Sequence, residues 1–185
     1  MRGSRKLRKV LSQWAVVAVL LSVSAAQAKP SEYQVKAAYL YNFGKFVTWP
    51  PGQPSGIFTL CVLGRDPFGT DLDTVIANAT IGDRKIVAKR ISDVADSGSC
   101  QIVFVSTSEA SQLDKILPVL AKHHALTVSD MPRFAERNGV IQFVMDSGRV
   151  RFEVNQTAAE NAGVALSSQL LKVASAIRRT GGGSN

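Results

Sequence analysis

The stretch SEYQVKAAYLYNFGKFVTWP, residues 31–50, constrains the fold most. Val35, Tyr39, Phe43, Phe46 and Val47 recur at helical spacing, which predicts a helix with one apolar, aromatic face. Ser31 stands at the N-cap position, and Glu32 lies in the first turn against the positive end of the dipole. Trp49-Pro50-Pro51 predicts the stop, because proline lacks an N–H and restricts the residue before it. A helix this aromatic is unstable alone in water, so the rest of the chain must supply a surface for it. The plainest role for the stretch is a core helix.

What precedes it reads as a leader. Arg2, Arg5, Lys6, Arg8 and Lys9 give a basic start, and an apolar run follows over residues 14–23. Ala26-Gln27-Ala28 then fits the small-x-small cleavage pattern of a signal peptide. An uncleaved anchor is the alternative. No cysteine follows the apolar run and no twin-arginine pair is present, so the expectation is general secretion without lipid attachment. The expected organisation is a signal peptide over 1–28, one domain over 29–180 and a frayed glycine-rich tail over 181–185.

The leader changes the charge argument. The 185-residue chain carries 22 basic and 14 acidic residues, a net of +8. Five of the basic residues lie in the first nine, so the chain beyond Ala28 holds 17 basic against 14 acidic residues, net +3. Its lysines and arginines form no cluster interleaved with aromatics, which argues against nucleic acid as a partner.

Residues 57–63 (IFTLCVL) and 101–106 (QIVFVS) are continuously apolar and predict buried strands. Residues 84–91 (RKIVAKRI) mix lysine with β-branched residues and predict an outer or edge strand, and 126–129 (LTVS) a further short one. Helices are expected from Asp66-Pro67 to about Ala77, over 109–122 with Leu113, Ile116, Leu117 and Leu120 on one face, and over 168–178 beside the first helix. The alternation of strand and helix predicts a largely parallel sheet with helices on both faces. Asp146-Ser147-Gly148-Arg149 is a turn signal between two strands, so a C-terminal β-hairpin should make the sheet mixed, with the last helix after it. The expected class is therefore α/β.

Candidate chemistry is sparse. Cys61 and Cys100 are the only cysteines, and an even count in an exported chain suggests a disulfide. If the two central strands end level, however, Cys100 lies opposite Phe58, roughly 10 Å along the strand from Cys61, so two buried thiols are the alternative. His123 and His124 point about 100° apart on a helix and fall where cations favour the dipole. Ser106-Thr107-Ser108 follows the central strand where open α/β sheets place ligands, yet Ser108 also reads as an ordinary helix cap. No nucleophile elbow or phosphate loop is present, so no enzyme, cofactor or metal is expected. In the strand RVRFEVN, period two places Arg151, Glu153 and Asn155 opposite Phe152 and Val154. These three polar residues are the candidate partner- or ligand-binding surface; an ordinary solvated face with an Arg–Glu pair is the alternative.

The run KAAYLYNFGKFVTWP, together with CVLGRDPFG, SCQIVFVS, LTVSDMPRFAERNGVIQFV and GRVRFEVNQTAAENAGVALSSQLLKVA, resembles the YfiR family of small periplasmic proteins in the same order. The resemblance implies a periplasmic α/β domain, often a homodimer. It implies repression of an inner-membrane diguanylate cyclase through that enzyme's periplasmic sensor region, lowering cyclic-di-GMP and biofilm formation. An outer-membrane lipoprotein sequesters such repressors, and a sensor kinase is another conceivable target. Cys61 and Cys100 match one cysteine pair of the family, which implies the disulfide. The second pair that some members carry around the hairpin has no counterpart here. A periplasmic small-ligand-binding module feeding a sensor protein is the alternative function.

Overall fold

A computed structural model describes residues 29–52 and 56–179. The expected leader (1–28) and tail (181–185) lie outside the described residues. Helix α1 (Glu32–Phe46) is capped at Ser31, whose hydroxyl accepts from Gln34 N–H while the Gln34 side chain accepts from Ser31 N–H, each at 3.0 Å. It runs directly into β1 (Val47–Thr48). Then follow β2 (Ile57–Leu63), α2 (Thr70–Ile76), β3 (Thr80–Ile81), β4 (Arg84–Ile91), β5 (Ile102–Val105), α3 (Leu113–Lys122) and β6 (Leu126–Ser129). The chain closes with β7 (Ile141–Asp146), β8 (Arg149–Asn155), α4 (Gln156–Asn161), β9 (Ala165–Leu166), α5 (Ser168–Val173) and β10 (Ala176–Arg178).

Eight strands form one sheet in the order β10-β8-β7-β6-β5-β2-β4-β3, while β1 and β9 pair separately. Neighbours are parallel except at the β7–β8 and β3–β4 hairpins, so the expected mixed, largely parallel α/β sheet is what forms. Against one face pack Leu40 and Phe43 of α1, Leu72 and Ile76 of α2 and Leu170 of α5, meeting Phe58, Ile102, Phe104, Phe143 and Phe152. Against the other pack Leu113, Ile116, Leu117 and Leu120 of α3 with Met131 and Phe134, meeting Cys61, Val103 and Val105. The second layer stops short of the hairpin. Outward residues of β7 and β8, such as Arg151, therefore meet solvent.

Several expectations need correction. The buried stripe of α1 is Lys36, Ala37, Leu40, Phe43 and Gly44, rotated from the predicted line through Val35, Tyr39 and Phe46. Small residues decide this: a Cβ at Gly44 would collide with Ile81, so the helix lies close to the sheet along its Ala37–Gly44 side and the larger rings flank it. Helix α2 begins at Thr70 rather than Asp66, because the Asp66 carboxylate accepts from Phe68 N–H at 2.8 Å and holds a turn there. Residues Thr107–Gln112 form a 3-10 stretch before α3. The last predicted helix is cut short: α5 ends at Val173, and β10 joins the sheet beside β8. Spacing could not separate these outcomes, since Leu170, Val173, Ala174 and Ile177 fit a helical stripe while a β-branched residue also suits an edge strand.

Candidate functional site

The hairpin turns tightly at Ser147 and Gly148, both with positive φ (49° and 73°), and this sets the register Val144↔Arg151, Phe143↔Phe152 and Gln142↔Glu153. Phe152 and Val154 consequently enter the core, Arg151 is exposed and Glu153 is half-buried. Asn155 departs from its neighbours. It is wholly buried, accepts from Ala158 N–H at 2.9 Å as the cap of α4, and donates to Ala135 O at 2.7 Å. The structure therefore brings Arg151 and Glu153 to one surface but not Asn155. Glu153 pairs with Arg178 of β10 (3.1 Å) instead of Arg151. Arg178 also reaches Glu136 (3.6 Å), which Arg133 holds at 2.7 Å. The Arg133 hydrogen bond keeps the Glu136 carboxyl below its usual value. Arg178 was invisible as a member of this surface because its segment read as helix.

The carboxyl edge of the parallel strands is the usual ligand position of such sheets. Here β4 and β5 lie on either side of β2, and the crevice between the ends of β2 and β5 is closed. Ser108 Oγ accepts from Arg65 N–H at 3.0 Å and donates to Glu109 at 2.7 Å. Gly64, at φ 87°, has no room for a Cβ beside them. The opening lies further along the edge, as a crevice of about 250 Å³ lined by Tyr33, Lys36, Thr107, Asp130 and Phe143. Lys36 is 3% exposed, and its ammonium contacts Asp130 (2.6 Å) and Glu32 (2.5 Å). Tyr33 OH donates to the same Asp130 oxygen at 3.0 Å. Burial by itself would depress the Lys36 ammonium, but the hydrogen bonds to Asp130 and Glu32 outweigh it and hold its pKa above the ordinary value. Burial first, then the Asp130 charge, raises Tyr33. Sequence reasoning missed this cluster. Lys36 at four residues from Glu32 looks like an ordinary surface pair, and Asp130 carries no local signal.

Cys61 and Cys100 are joined, with Cα atoms 5.8 Å apart. The register is the level one expected, Leu63 opposite Val105. The objection fails because β5 does not extend back to Cys100. The Gln101 side chain accepts from Thr59 N–H (2.7 Å), which a continuing strand would bond through its backbone, and the chain bends there. Strict alternation would place Cys100 on the Ile102–Phe104 face, whereas the bend turns it to the Cys61–Val103 face. His123 contacts Ser97 Oγ (2.9 Å) and His124 contacts Ala162 O (2.8 Å), so the two imidazoles serve different neighbours.

The chain matches the YfiR/HmsC-like family over residues 33–175 and belongs to it. The matched span runs from the first turn of α1 to the residue before β10. Membership implies a periplasmic regulator of diguanylate cyclase signalling, and the family is a regulatory, non-catalytic one. No curated protein sequence matches the chain. Among solved structures, a conserved domain protein from Vibrio cholerae O1 biovar El Tor strain N16961 is similar at TM-score 0.53 and 13% identity, covering 80% of this chain. The ABC domain from Streptococcus pneumonia, solved in complex with L-Trp, is similar at TM-score 0.54 and 14% identity, covering 77%. This chain spans about 60% of the length of each, and the likeness is one of fold. No helix among the described residues is long and apolar enough to cross a membrane.

Proposed function

We propose that this protein is a periplasmic repressor that binds, without turnover, the periplasmic sensor region of an inner-membrane signalling enzyme, with a diguanylate cyclase as the target. Family membership across 33–175 supports the regulatory class. The observation that carries the binding role is the outer face of β7 and β8, where Arg151 stands exposed beside the Glu153–Arg178 pair, whereas the central strands β2, β5 and β6 are buried on both faces. A surface of this kind suits a protein partner, since guanidinium groups bond carboxylates in a fixed fork. Export follows cleavage after Ala28, an outer-membrane lipoprotein competes for the same repressor, and the working unit is a homodimer. Asn155 supports the surface from beneath as the cap of α4.

Deleting the gene is expected to raise cyclic-di-GMP and surface attachment; unchanged second-messenger levels would remove the cyclase as target. In a pull-down from envelope extract, Arg151→Glu is expected to lose the membrane partner while remaining folded. The loss is about 2–5 kcal/mol if Arg151 becomes buried against a carboxylate in the complex, and much less at a wet rim.

A second reading, a small-ligand-binding module feeding a sensor, has one observation in its favour. The Lys36–Asp130 crevice opens at the carboxyl edge of the sheet, and one solved domain of similar fold is described in complex with L-Trp. Thermal stabilisation of the purified protein by amino acids or nucleotides, with no partner recovered, would favour it.

A further inference from the structure

The two edges of the sheet are built differently. At one, β3 pairs with the first residues of β4, Ile86 N–H bonds Ala79 O, and Arg90 is fastened to Asp66, Asp73 and Gly69 O. Lys85 and Lys89 stand exposed along it, a common protection against edge pairing. At the other, β10 is the last strand among the described residues. Among the described residues four large apolar side chains are exposed, and two of them are Ile177 (47%) on β10 and Val173 (63%) at the end of α5, just before it.

The register shows which backbone groups this edge offers. Asn155 N–H bonds Val140 O, so Glu153 and Asn155 turn their backbone groups to β7, and Phe152 and Val154 turn theirs to β10. Val154 lies opposite Ile177, and in a parallel ladder it is bonded by the residues flanking its partner, here Ala176 and Arg178. The N–H and C=O of Ile177 therefore point away from the sheet.

We infer that β10 is a strand-addition site, and that its occupant is an extended acidic segment of a protein partner. This rests on the reading of the chain as a partner-binding regulator. Charge selects the occupant: Arg178 and Arg179 stand on the strand or at its end, with Arg151 and Arg133 on the adjoining face, and the two nearby carboxylates, Glu136 and Glu153, are already engaged by Arg133 and Arg178. An added strand receives backbone bonds at Ile177, an apolar contact from Ile177 and Val173, and carboxylate contacts from the arginines. A second copy of this chain suits the edge less well, since antiparallel pairing through Ile177 sets Arg178 opposite Ala176 and Arg179 opposite Ser175, and the strand offers those arginines no carboxylate.

The test uses the full mature chain labelled with nitrogen-15 and two end-blocked seven-residue peptides, one alternating glutamate with valine, the other lysine with valine. The acidic peptide is expected to slow exchange of the Ile177 amide at least tenfold and to shift resonances of 176–179; the basic peptide should do neither. Ile177→Pro removes the outward N–H without breaking a ladder bond and should abolish the effect. Ile177→Thr keeps the N–H and should retain it in part. An unchanged Ile177 amide, or equal binding by Ile177→Pro, overturns the inference. So does a wild-type dimer that Ile177→Pro converts to monomer without any acidic-peptide binding, since the occupant is then a second copy. Peptide binding at β10 with unchanged cyclic-di-GMP in the deletion strain would keep the site and remove the repressor reading. A rise in cyclic-di-GMP with no peptide binding would do the reverse.

Discussion

The β2–β5–β6 half of the sheet and the β7–β8–β10 half are made by different rules. In the first, the strands run parallel and helices cover both faces, so almost every residue is buried: six of the seven in β2 and all four in β5 and β6. In the second, the hairpin alternates, with Phe143, Phe152 and Val154 under α1 and Arg151 and Glu153 turned outward. The difference teaches where each half can change. Two-sided burial leaves the parallel half no surface for a partner, whereas the hairpin half keeps its fold through one face and leaves the other available.

The largest effect that could break this contrast is in the parallel half. Phe104 is wholly buried and meets Phe68 edge-on with ring centroids 4.8 Å apart. Phe104→Ala is expected to cost about 3–5 kcal/mol in urea denaturation, while Val144→Ala on the outer hairpin face costs under about 1 kcal/mol. Equal losses would mean that the hairpin face is covered after all.

Lys36 joins the halves, since Asp130 follows β6 and Phe143 belongs to β7. Lys36→Ala leaves Asp130 without its cation in a largely buried setting and should cost about 3–5 kcal/mol. The pH dependence has a defined sign. The folded pKa lies above the unfolded one, so the stabilisation is complete below about pH 10.4 and is lost as pH rises through the folded value. Alkaline unfolding of Lys36→Met should lack that slope; an unchanged slope would assign it to another group.

The disulfide crosses under α3, within the parallel half. Its partners are 39 residues apart, and Cys61→Ser should lower stability by roughly 4 kcal/mol on the chain-entropy account. Two titratable thiols in the unreduced, denatured protein would reject the bridge. The smallest effect on folding belongs to Arg151→Glu, within about 0.5 kcal/mol, because the side chain is exposed and makes no core contact. A larger loss would show that the outer face contributes to folding as well as to binding.

Strands β2, β4, β5 and β6 and the hairpin were legible because continuous apolarity and strict alternation each correspond to one environment. The site was legible only in part. Arg151 and Glu153 followed from period two, but Asn155 did not, because its amide is claimed by Ala158 and Ala135, the second of them twenty residues away in sequence. Lys36 carries no local sign of burial, since Asp130, 94 residues on, joins the nearby Glu32 in making that burial tolerable.

By itself, then, the sequence determined the α/β class, the largely parallel sheet with its C-terminal hairpin, the capped first helix and the cysteine pair, all of which depend on local pattern or simple parity. Only the tertiary structure decided which side of α1 meets the sheet, that residues 176–178 extend the sheet instead of a helix, and that Cys100 bends back to Cys61. Each of those outcomes turns on contacts between residues far apart in the chain: Gly44 against Ile81, Ser175 N–H on Phe152 O, and the Gln101 side chain on Thr59 N–H. No local pattern records them, because the energies that select them exist only once the distant partner is in place.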